Sequence, residues 1–508
     1  MAEAIDRVIV HVLLDQCLPD HLAHLNTLSE RNQPSLQRLR GMLSEALSHE
    51  PANSDLSLFF ASICALRDFG ALHLCDTNEQ YPDEPPLVLS VNRPHDFASC
   101  ASVSLDSLRS VIARMLLRNH LSFPFKRIFI GIDGADRMMC NLACHSPCVS
   151  RRAESPFGVK FFATTASGKQ LFPFTFEASL AERNGDQSAG YVIIHGDDEY
   201  HRMDAVCDIF TERERLRARR KDQKESVLSA WNSSSSMPLK VLKSAEQHFG
   251  SWTPEALREA MYRSGLREPT QFKPSLALSM FQLFNAKNVL DFSAGWGDRL
   301  LAAIAHGVST YCGYDPNKEL KSGHTEIVER YASSSQSIEL HYVPFDGSDA
   351  QPKQGSFDLV FTSPPFFDFE VYASGSDQSV DSYTTFESWL GKFLLRCLCK
   401  SWSALEMGGR CVVHMTDPSS KMRMCEPLCL MACAFLPVCV YEGILLSRGA
   451  TGKPRPIWVF RKIATEGAQG YSLVRKEEAL TELRRLYPCI AEGNDSCLTL
   501  SVIMSFVI

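Results

Sequence analysis

Four consecutive residues, Ser363-Pro364-Pro365-Phe366, bring together a hydroxyl, a stiffened backbone and an aromatic face. They follow Phe357-Asp-Leu-Val-Phe361, which reads as a short buried strand. Neither proline has an N–H to donate to a ladder, so the strand ends after Phe361 and Thr362–Phe366 forms a loop. The loop offers the Ser363 hydroxyl and the Pro364 carbonyl as acceptors without competing N–H groups, and Phe366 as a stacking surface. Such a set suits the edge and face of a flat ring that bears an amino group. Open α/β sheets hold their ligands at the carboxyl ends of their strands, which is where this loop would lie.

The elements needed to position that loop lie on both sides of it. Upstream, Lys287-Asn-Val-Leu-Asp291 reads as a strand, Phe292 to Gly297 as a glycine-rich turn, and Asp298-Arg-Leu-Leu-Ala-Ala303 as the start of a helix. The glycines allow the backbone to pass close to a ligand, and Asp298 stands at the positive end of the helix. A dinucleotide fingerprint wants a third glycine three residues after Gly297, where this chain has Leu300, so a nicotinamide or flavin site is disfavoured. Thr310-Tyr-Cys-Gly-Tyr-Asp315 reads as a second strand ending in an acid, at a distance from Asp291 that suits acceptance of both hydroxyls of a ribose. Downstream, Gly408 to Asp417 reads as a fifth strand, and Glu442-Gly-Ile-Leu-Leu to Arg455–Lys462 as a hairpin with a long connector. Strands alternating with helices predict an α/β fold, a doubly wound sheet with a terminal hairpin.

Ser363-Pro-Pro-Phe366 resembles the (Asp/Asn/Ser)-Pro-Pro-(Tyr/Phe/Trp) signature of class I S-adenosylmethionine-dependent amino-methyltransferases, which modify exocyclic amines of adenine or cytosine in nucleic acids. Serine in first place is most like the N4-cytosine DNA enzymes. Asp291-x-x-x-Gly295-x-Gly297 resembles the first motif of class I methyltransferases, and the resemblance spans residues 268 to 463 in the family's order. It implies a Rossmann-like sheet and S-adenosyl-L-methionine as cofactor. The methionine part would lie on the turn of Asp291, Ser293, Gly295 and Gly297, the ribose on Asp315, and the adenine by Asp346 in the loop after His341-Tyr-Val-Pro-Phe. Thr270-Gln-Phe-Lys273-Pro274 resembles a Thr-x-Lys-Pro element that closes over the cofactor, with Phe272 as an extra residue and Lys273 as the contact.

At 508 residues the chain has room for two or three domains, and an apolar share of 45% supports ordinary cores. No run of eighteen apolar residues suggests a membrane helix, and no basic-then-apolar signal opens the chain. With 18 scattered cysteines, reduced thiols in a nuclear or cytoplasmic setting are expected. A net charge of −7 argues against a uniformly basic coat for nucleic acid. Locally, however, Arg213, Arg215, Arg217, Arg219, Arg220, Lys221 and Lys224 form a basic segment that could neutralise phosphates, with Arg217, Arg219 and Arg220 as its centre. Glu212 and Glu214 leave open the plainer reading of a solvated helix with paired charges.

The organisation predicted along the chain is a mostly helical region over 1–150, including Leu36–Leu47 and Leu105–Leu117 but with a strand at Arg127–Asp133. A β-rich segment and the basic helix occupy 151–232, with strands expected in Gly158–Ala163, Leu171–Phe176 and Gly190–Ile194. A linker with helices follows over 233–267, including the serine run Ser233–Ser236 and a helix at Pro254–Tyr262, then the catalytic domain over 268–463. The tail over 464–508 holds a helical stretch, Lys476–Tyr487, and an apolar end. The N-terminal region offers a place for a protein partner. Cys140, Cys144, His145 and Cys148 have spacings near those of a metal site but no second pair nearby, so free thiols are favoured and no metal is expected. His414 reads as a sheet-edge residue rather than a base, and Phe361 as core. Phe367, Asp368, Glu370 and Tyr372 either order the proline loop or line the target pocket, with Phe367 and Tyr372 taken as substrate contacts. Asp291 could equally brace its own turn.

The chemistry follows from the amine. Its lone pair is delocalised into the ring, so it is a poor nucleophile. Donating its N–H groups to Ser363 Oγ and the Pro364 carbonyl would draw the nitrogen toward tetrahedral geometry and aim the lone pair at the methyl. Phe366 would stack on the base, a contact worth about 1–3 kcal/mol in single-strand sites. A duplex target would have to be flipped out. The expected activity is therefore methylation of a nucleobase amine in RNA or DNA, adenine N6 first and cytosine N4 next. The alternatives are methylation of guanine N2 or protein glutamine, and a catalytically inactive nucleic-acid-binding subunit.

Overall fold

The computed structural model describes residues 123–152, 191–197, 199–233, 237–249, 254–372, 378–418, 422–448, 455–464 and 476–491. The helices expected at Leu36–Leu47 and Leu105–Leu117, the strands in 158–163 and 171–176, most of the serine run and the apolar C-terminal end lie outside these. The described residues divide between two compact units. The smaller holds 123–129 with Glu225–Arg267, and the larger holds Ile130–Lys224 with 268–491.

In the smaller unit the helices Val227–Ser233, Met237–Phe249 and Pro254–Arg263 follow one another. Phe123 is fully buried there, edge-on to Trp231 at 5.6 Å between ring centroids, with the Arg258 guanidinium over its ring at 5.2 Å.

Among the described residues eleven strands follow in chain order: β1 Cys148–Arg152, β2 Tyr191–His195, β3 Arg219–Arg220, β4 Asn288–Asp291, β5 Thr310–Tyr314, β6 Ser337–His341, β7 Phe357–Thr362, β8 Glu370–Val371, β9 Leu405–His414, β10 Cys439–Arg448 and β11 Arg455–Lys462. Nine of them form one sheet, in the order β1-β2-β10-β11-β9-β7-β4-β5-β6. β6, β5, β4, β7 and β9 are parallel neighbours, and the β10–β11 hairpin adds to β9 antiparallel. This is the Rossmann-like sheet with a terminal hairpin that the motif order implied. β2 then continues the sheet parallel to β10, and β1 closes it.

Burial explains why these strands read as continuous apolar runs. In β4 and β7, Val289, Leu359 and Phe361 belong to one buried cluster, while their neighbours Leu290 and Val360 belong to the other. Both faces of the parallel strands are therefore covered. The helices Pro274–Phe284 and Asp298–His306 supply much of one layer, and Leu395–Ala404 and Cys425–Phe435 much of the other.

One expected strand is a helix. Arg127–Asp133 lies within the helical segment Lys126–Ala143, which kinks at Gly131 (φ 66°). Alternating isoleucines at 128, 130 and 132 suggest a period of two, but the buried set is Ala135, Met138, Met139 and Leu142, at helical spacing. A helix-breaking glycine in positive φ separates the two patterns. No helix among the described residues is long and apolar enough to cross a membrane.

Candidate active site

The glycine turn and the proline loop leave the carboxyl ends of two adjacent strands, because β4 pairs with β7 through Val289↔Leu359 and Leu290↔Val360. Asp315 follows β5, the neighbour of β4 on its other side. Three of the predicted groups therefore stand along one rim of the sheet.

The turn is held from beneath. Asp291 is fully buried, accepting from Arg299 Nε at 2.6 Å, from Tyr311 Oη at 3.0 Å and from the Ser293 N–H at 3.1 Å. The Arg299 guanidinium also donates to the Ser293 carbonyl. Asp291 and the Ser293 backbone thus brace the turn, the second of the two roles the sequence allows Asp291. Gly295 has φ 61° and Gly297 φ 99°. A Cβ on Gly297 would come within 3.1 Å of Ile327 and 3.2 Å of His324. His324 is itself buried, with Nε2 3.0 Å from the Gly295 carbonyl, and burial lowers its pKa to about 4, so it is a neutral prop.

Asp315 accepts the Gly295 N–H through Oδ2 and the Asn317 N–H through Oδ1, both at 2.9 Å. Each carboxylate oxygen retains a lone pair for a ligand. Burial pushes this carboxyl up to about 6. Asp346 is half-buried beyond β6, where its Oδ2 accepts from Tyr383 Oη at 2.5 Å. Lys273 turns elsewhere, donating to the Asp197 carbonyl at 2.5 Å and pairing with buried Asp204 at 3.4 Å. Its neighbour Phe272 lies nearer the loop, 5.1 Å from the His414 ring and 5.7 Å from Phe361.

At the proline loop Ser363 is half-buried, and its Oγ lies 3.2 Å from His414 Nδ1. His414 ends β9, an interior strand flanked by β7 and β11, which corrects the sheet-edge reading. The register Thr362↔Val413 makes Ser363 and His414 neighbours. Phe366 is half-buried, 6.5 Å from the His414 ring at 30°. Pro364 is buried and Pro365 half-buried.

Beyond the loop, Phe367 takes φ 51° and turns inward, packing against Phe386 and Trp389. It anchors the loop in the core instead of facing a substrate. Tyr372 stands 5.8 Å from the Trp296 ring in the glycine turn and donates to Glu370 Oε2 at 2.9 Å, while Glu370 Oε1 accepts the Thr270 N–H at 2.8 Å. Glu370 thereby ties the segment after the proline loop to Thr270, and Tyr372 carries the contact on to the glycine turn.

The basic segment divides. Arg215 is 2% exposed, paired with Asp208 and, at 2.7 Å, with Glu268. It is an internal cation and no phosphate ligand. Two more residues of that helical region reach the glycine turn, since Cys207 Sγ and Thr211 Oγ1 both donate to the Trp296 carbonyl at 2.7 Å. With Glu212 buried as well, the helix is no solvated one. Arg217 is half-exposed and 3.6 Å from Glu319. Arg219 and Arg220 form β3, which pairs antiparallel with β8 just after the proline loop. There Arg220 lies over the Phe369 ring and Lys221 pairs with Asp368.

Cys140, Cys144 and Cys148 are exposed free thiols. With His145 they form no group of converging ligand atoms among the described residues. Sequence reasoning misses Arg299, Tyr311 and His324 as supports of the turn, and misses the pairing of His414 with the serine. For His414 a signal exists: β7 and β9 are neighbours in the sheet, so the residues at their carboxyl ends meet.

No family model matches the chain, and no curated protein matches it. Several solved structures align with part of the chain. TrmN from Thermus thermophilus is 16% identical over 42% of this chain and 68% of its own, with a TM-score of 0.28. An rRNA methylase from Streptococcus thermophilus is 12% identical over 39% of this chain and 100% of its own, with a TM-score of 0.26. A SAM-dependent O-methyltransferase from Thermotoga maritima is 12% identical over 40% of this chain and 71% of its own, also at 0.26. At such scores these likenesses carry no weight for the reaction, and the site's own residues must decide it.

Proposed function

We propose that the chain is a class I S-adenosylmethionine-dependent methyltransferase acting on an exocyclic amine of a nucleobase in RNA or DNA, in the nucleus or cytoplasm, with adenine N6 the leading target and cytosine N4 the next. The observation that carries this reading is the placement of the Ser363-Pro-Pro-Phe366 loop and the glycine turn on the ends of adjacent parallel strands, with Asp315 beside them. Asp315 supports a bound cofactor, as a half-buried carboxylate with acceptor capacity left over, and Gly297 at φ 99° lets the turn pack directly on Ile327 and His324.

When bound, S-adenosylmethionine supplies an electrophilic methyl group. Asp315 would hold its ribose, and the Gly295–Gly297 backbone its methionine part. Ser363 Oγ and the Pro364 carbonyl accept the N–H groups of the target amine, and Phe366 stacks on its ring. None of these residues has to remove a proton before attack: the S–CH3 bond would break to leave a neutral demethylated thioether, and the alkylated nitrogen, now acidic, would release its proton to water. The test is incubation of the full chain with methyl-labelled cofactor and separate pools of RNA, DNA and protein, followed by nucleoside mass spectrometry. An N-methylated base is expected. Label on a ribose hydroxyl, a ring carbon or a protein side chain overturns the reading.

Because an ionised Asp315 is the better ribose acceptor, cofactor affinity should weaken as pH falls through about 6, where this carboxyl gains its proton. Asp315→Asn should flatten that dependence, and Asp315→Ala should weaken binding by about 1–3 kcal/mol at neutral pH. Calorimetry across the range checks both, and an Asp315→Ala chain that binds as tightly as wild type would move the ribose elsewhere. Charge reversal of Arg217, Arg219 and Arg220 to Glu should weaken nucleic-acid binding and shrink its salt slope by about one for each phosphate no longer neutralised. Cofactor affinity should stay the same, and an unchanged slope in filter binding returns these arginines to a structural role.

A further inference from the structure

We infer that His414 is the positioning residue that makes the Ser363 hydroxyl a pure acceptor toward the substrate, so that the site selects an N–H donor. The inference rests on the function proposed above and deepens it.

A serine hydroxyl carries one proton and two lone pairs, so by itself it can greet a substrate either as donor or as acceptor. A carboxylate or amide oxygen at this position has no such ambiguity. In this chain the ambiguity is removed from behind, because Ser363 Oγ lies 3.2 Å from His414 Nδ1. A neutral imidazole ordinarily carries its proton on Nε2, leaving Nδ1 as an acceptor. The Ser363 proton then points at His414, and both oxygen lone pairs face outward to take an amine N–H. The imidazole is held neutral. It is 6% exposed, burial lowers its pKa to about 3, and the Arg455 and Arg299 guanidiniums oppose any positive charge on it. Phe272 fixes the ring edge-on at 5.1 Å, and the register of β7 with β9 fixes its distance from the loop. A substrate presenting only a carbonyl or a ring nitrogen at this point would meet lone pair against lone pair. An exocyclic amine would not.

The test has a spectroscopic arm and a kinetic arm, both on the full chain. With histidine labelled in both ring nitrogens, multiple-bond proton–nitrogen spectra at neutral pH should show His414 protonated on Nε2 and bare on Nδ1, with the Nδ1 signal moving in Ser363→Ala. A protonated Nδ1 overturns the proposal whatever the activity. With methyl-labelled S-adenosylmethionine and total RNA or DNA as probes, His414→Leu should lower kcat about 10- to 100-fold while KM and cofactor affinity change by less than about threefold. His414→Asn, whose amide oxygen can take the serine proton, should recover most of the loss. Equal impairment in both variants, or a loss confined to KM, overturns the proposal in favour of simple packing. If the wild-type chain methylates no nucleobase amine, the proposed function fails, and the spectrum still decides the direction of the hydrogen bond.

Discussion

Arg215→Ala will unfold the larger unit more readily than any substitution in the proline loop, by about 3–5 kcal/mol. The guanidinium is buried between Asp208 and Glu268, and Asp208 also accepts from Tyr200 Oη at 2.6 Å. Taking the cation away leaves the Asp208 carboxylate in a water-poor interior without its guanidinium, which is far costlier than the loss of an exposed pair. The damage should spread to the glycine turn, because Cys207 and Thr211 in the same helical region hold the Trp296 carbonyl, and Gln271, which shares the Tyr200 hydroxyl, donates to buried Asp298 at 2.8 Å. Urea titration of the full chain, followed by fluorescence of Trp296 and Trp389, reads the midpoint of this unit. A midpoint unchanged in Arg215→Ala, accompanied by a lower salt slope for nucleic acid, would show that Arg215 faces phosphate after all. The exposed Arg217, 49% accessible, should show the opposite pattern.

Ser363→Ala will lower turnover about 10- to 100-fold and leave substrate affinity nearly intact. The hydrogen bond from the amine strengthens only as its nitrogen becomes tetrahedral, so its loss falls on the transition state more than on the bound complex. Phe366→Ala should harm both parameters, because stacking already holds the base in the ground state. Ser363→Asp should keep measurable turnover, since a carboxylate accepts without needing His414 to take a proton. Steady-state kinetics with a defined methylated product distinguishes these. Ser363→Ala raising KM alone would make the serine a binding contact and remove it from the reaction.

Much of this sheet is visible in the chain because its chemistry is local. Prolines 364 and 365 must end β7, and glycines 295 and 297 must occupy positive φ, so those boundaries can be read without knowing what surrounds them. The order of strands follows from the order of motifs. Burial is less visible. Arg215 and Arg217 look alike as charges along the chain, yet one is internal and the other half-exposed. What separates them is Asp208, two turns earlier on the same helix face, together with Glu268, which lies far along the chain. A short pattern assigns Lys273 to the cofactor, but Asp197 and Asp204, reached only through the fold, claim its ammonium. Proximity to the loop assigns Phe367 to the substrate, and its positive φ sends it the other way. The role of His414 can be inferred only after two strands have been set side by side.

The sheet also has a temporal consequence. β2, at Tyr191–His195, takes its parallel partner from β10, at Cys439–Arg448, and the segment Glu225–Arg267 that interrupts the larger unit belongs to the other one. As the chain leaves the ribosome, β2 emerges roughly 250 residues before the strand that completes it, and at about 5–20 residues per second that is a delay on the order of tens of seconds. Throughout that time Val192, Ile193 and Ile194, all buried in the finished sheet, have no β10 to cover their edge. The nascent chain is therefore open to chaperone capture or mispairing at β2 until β10 is made and covers it.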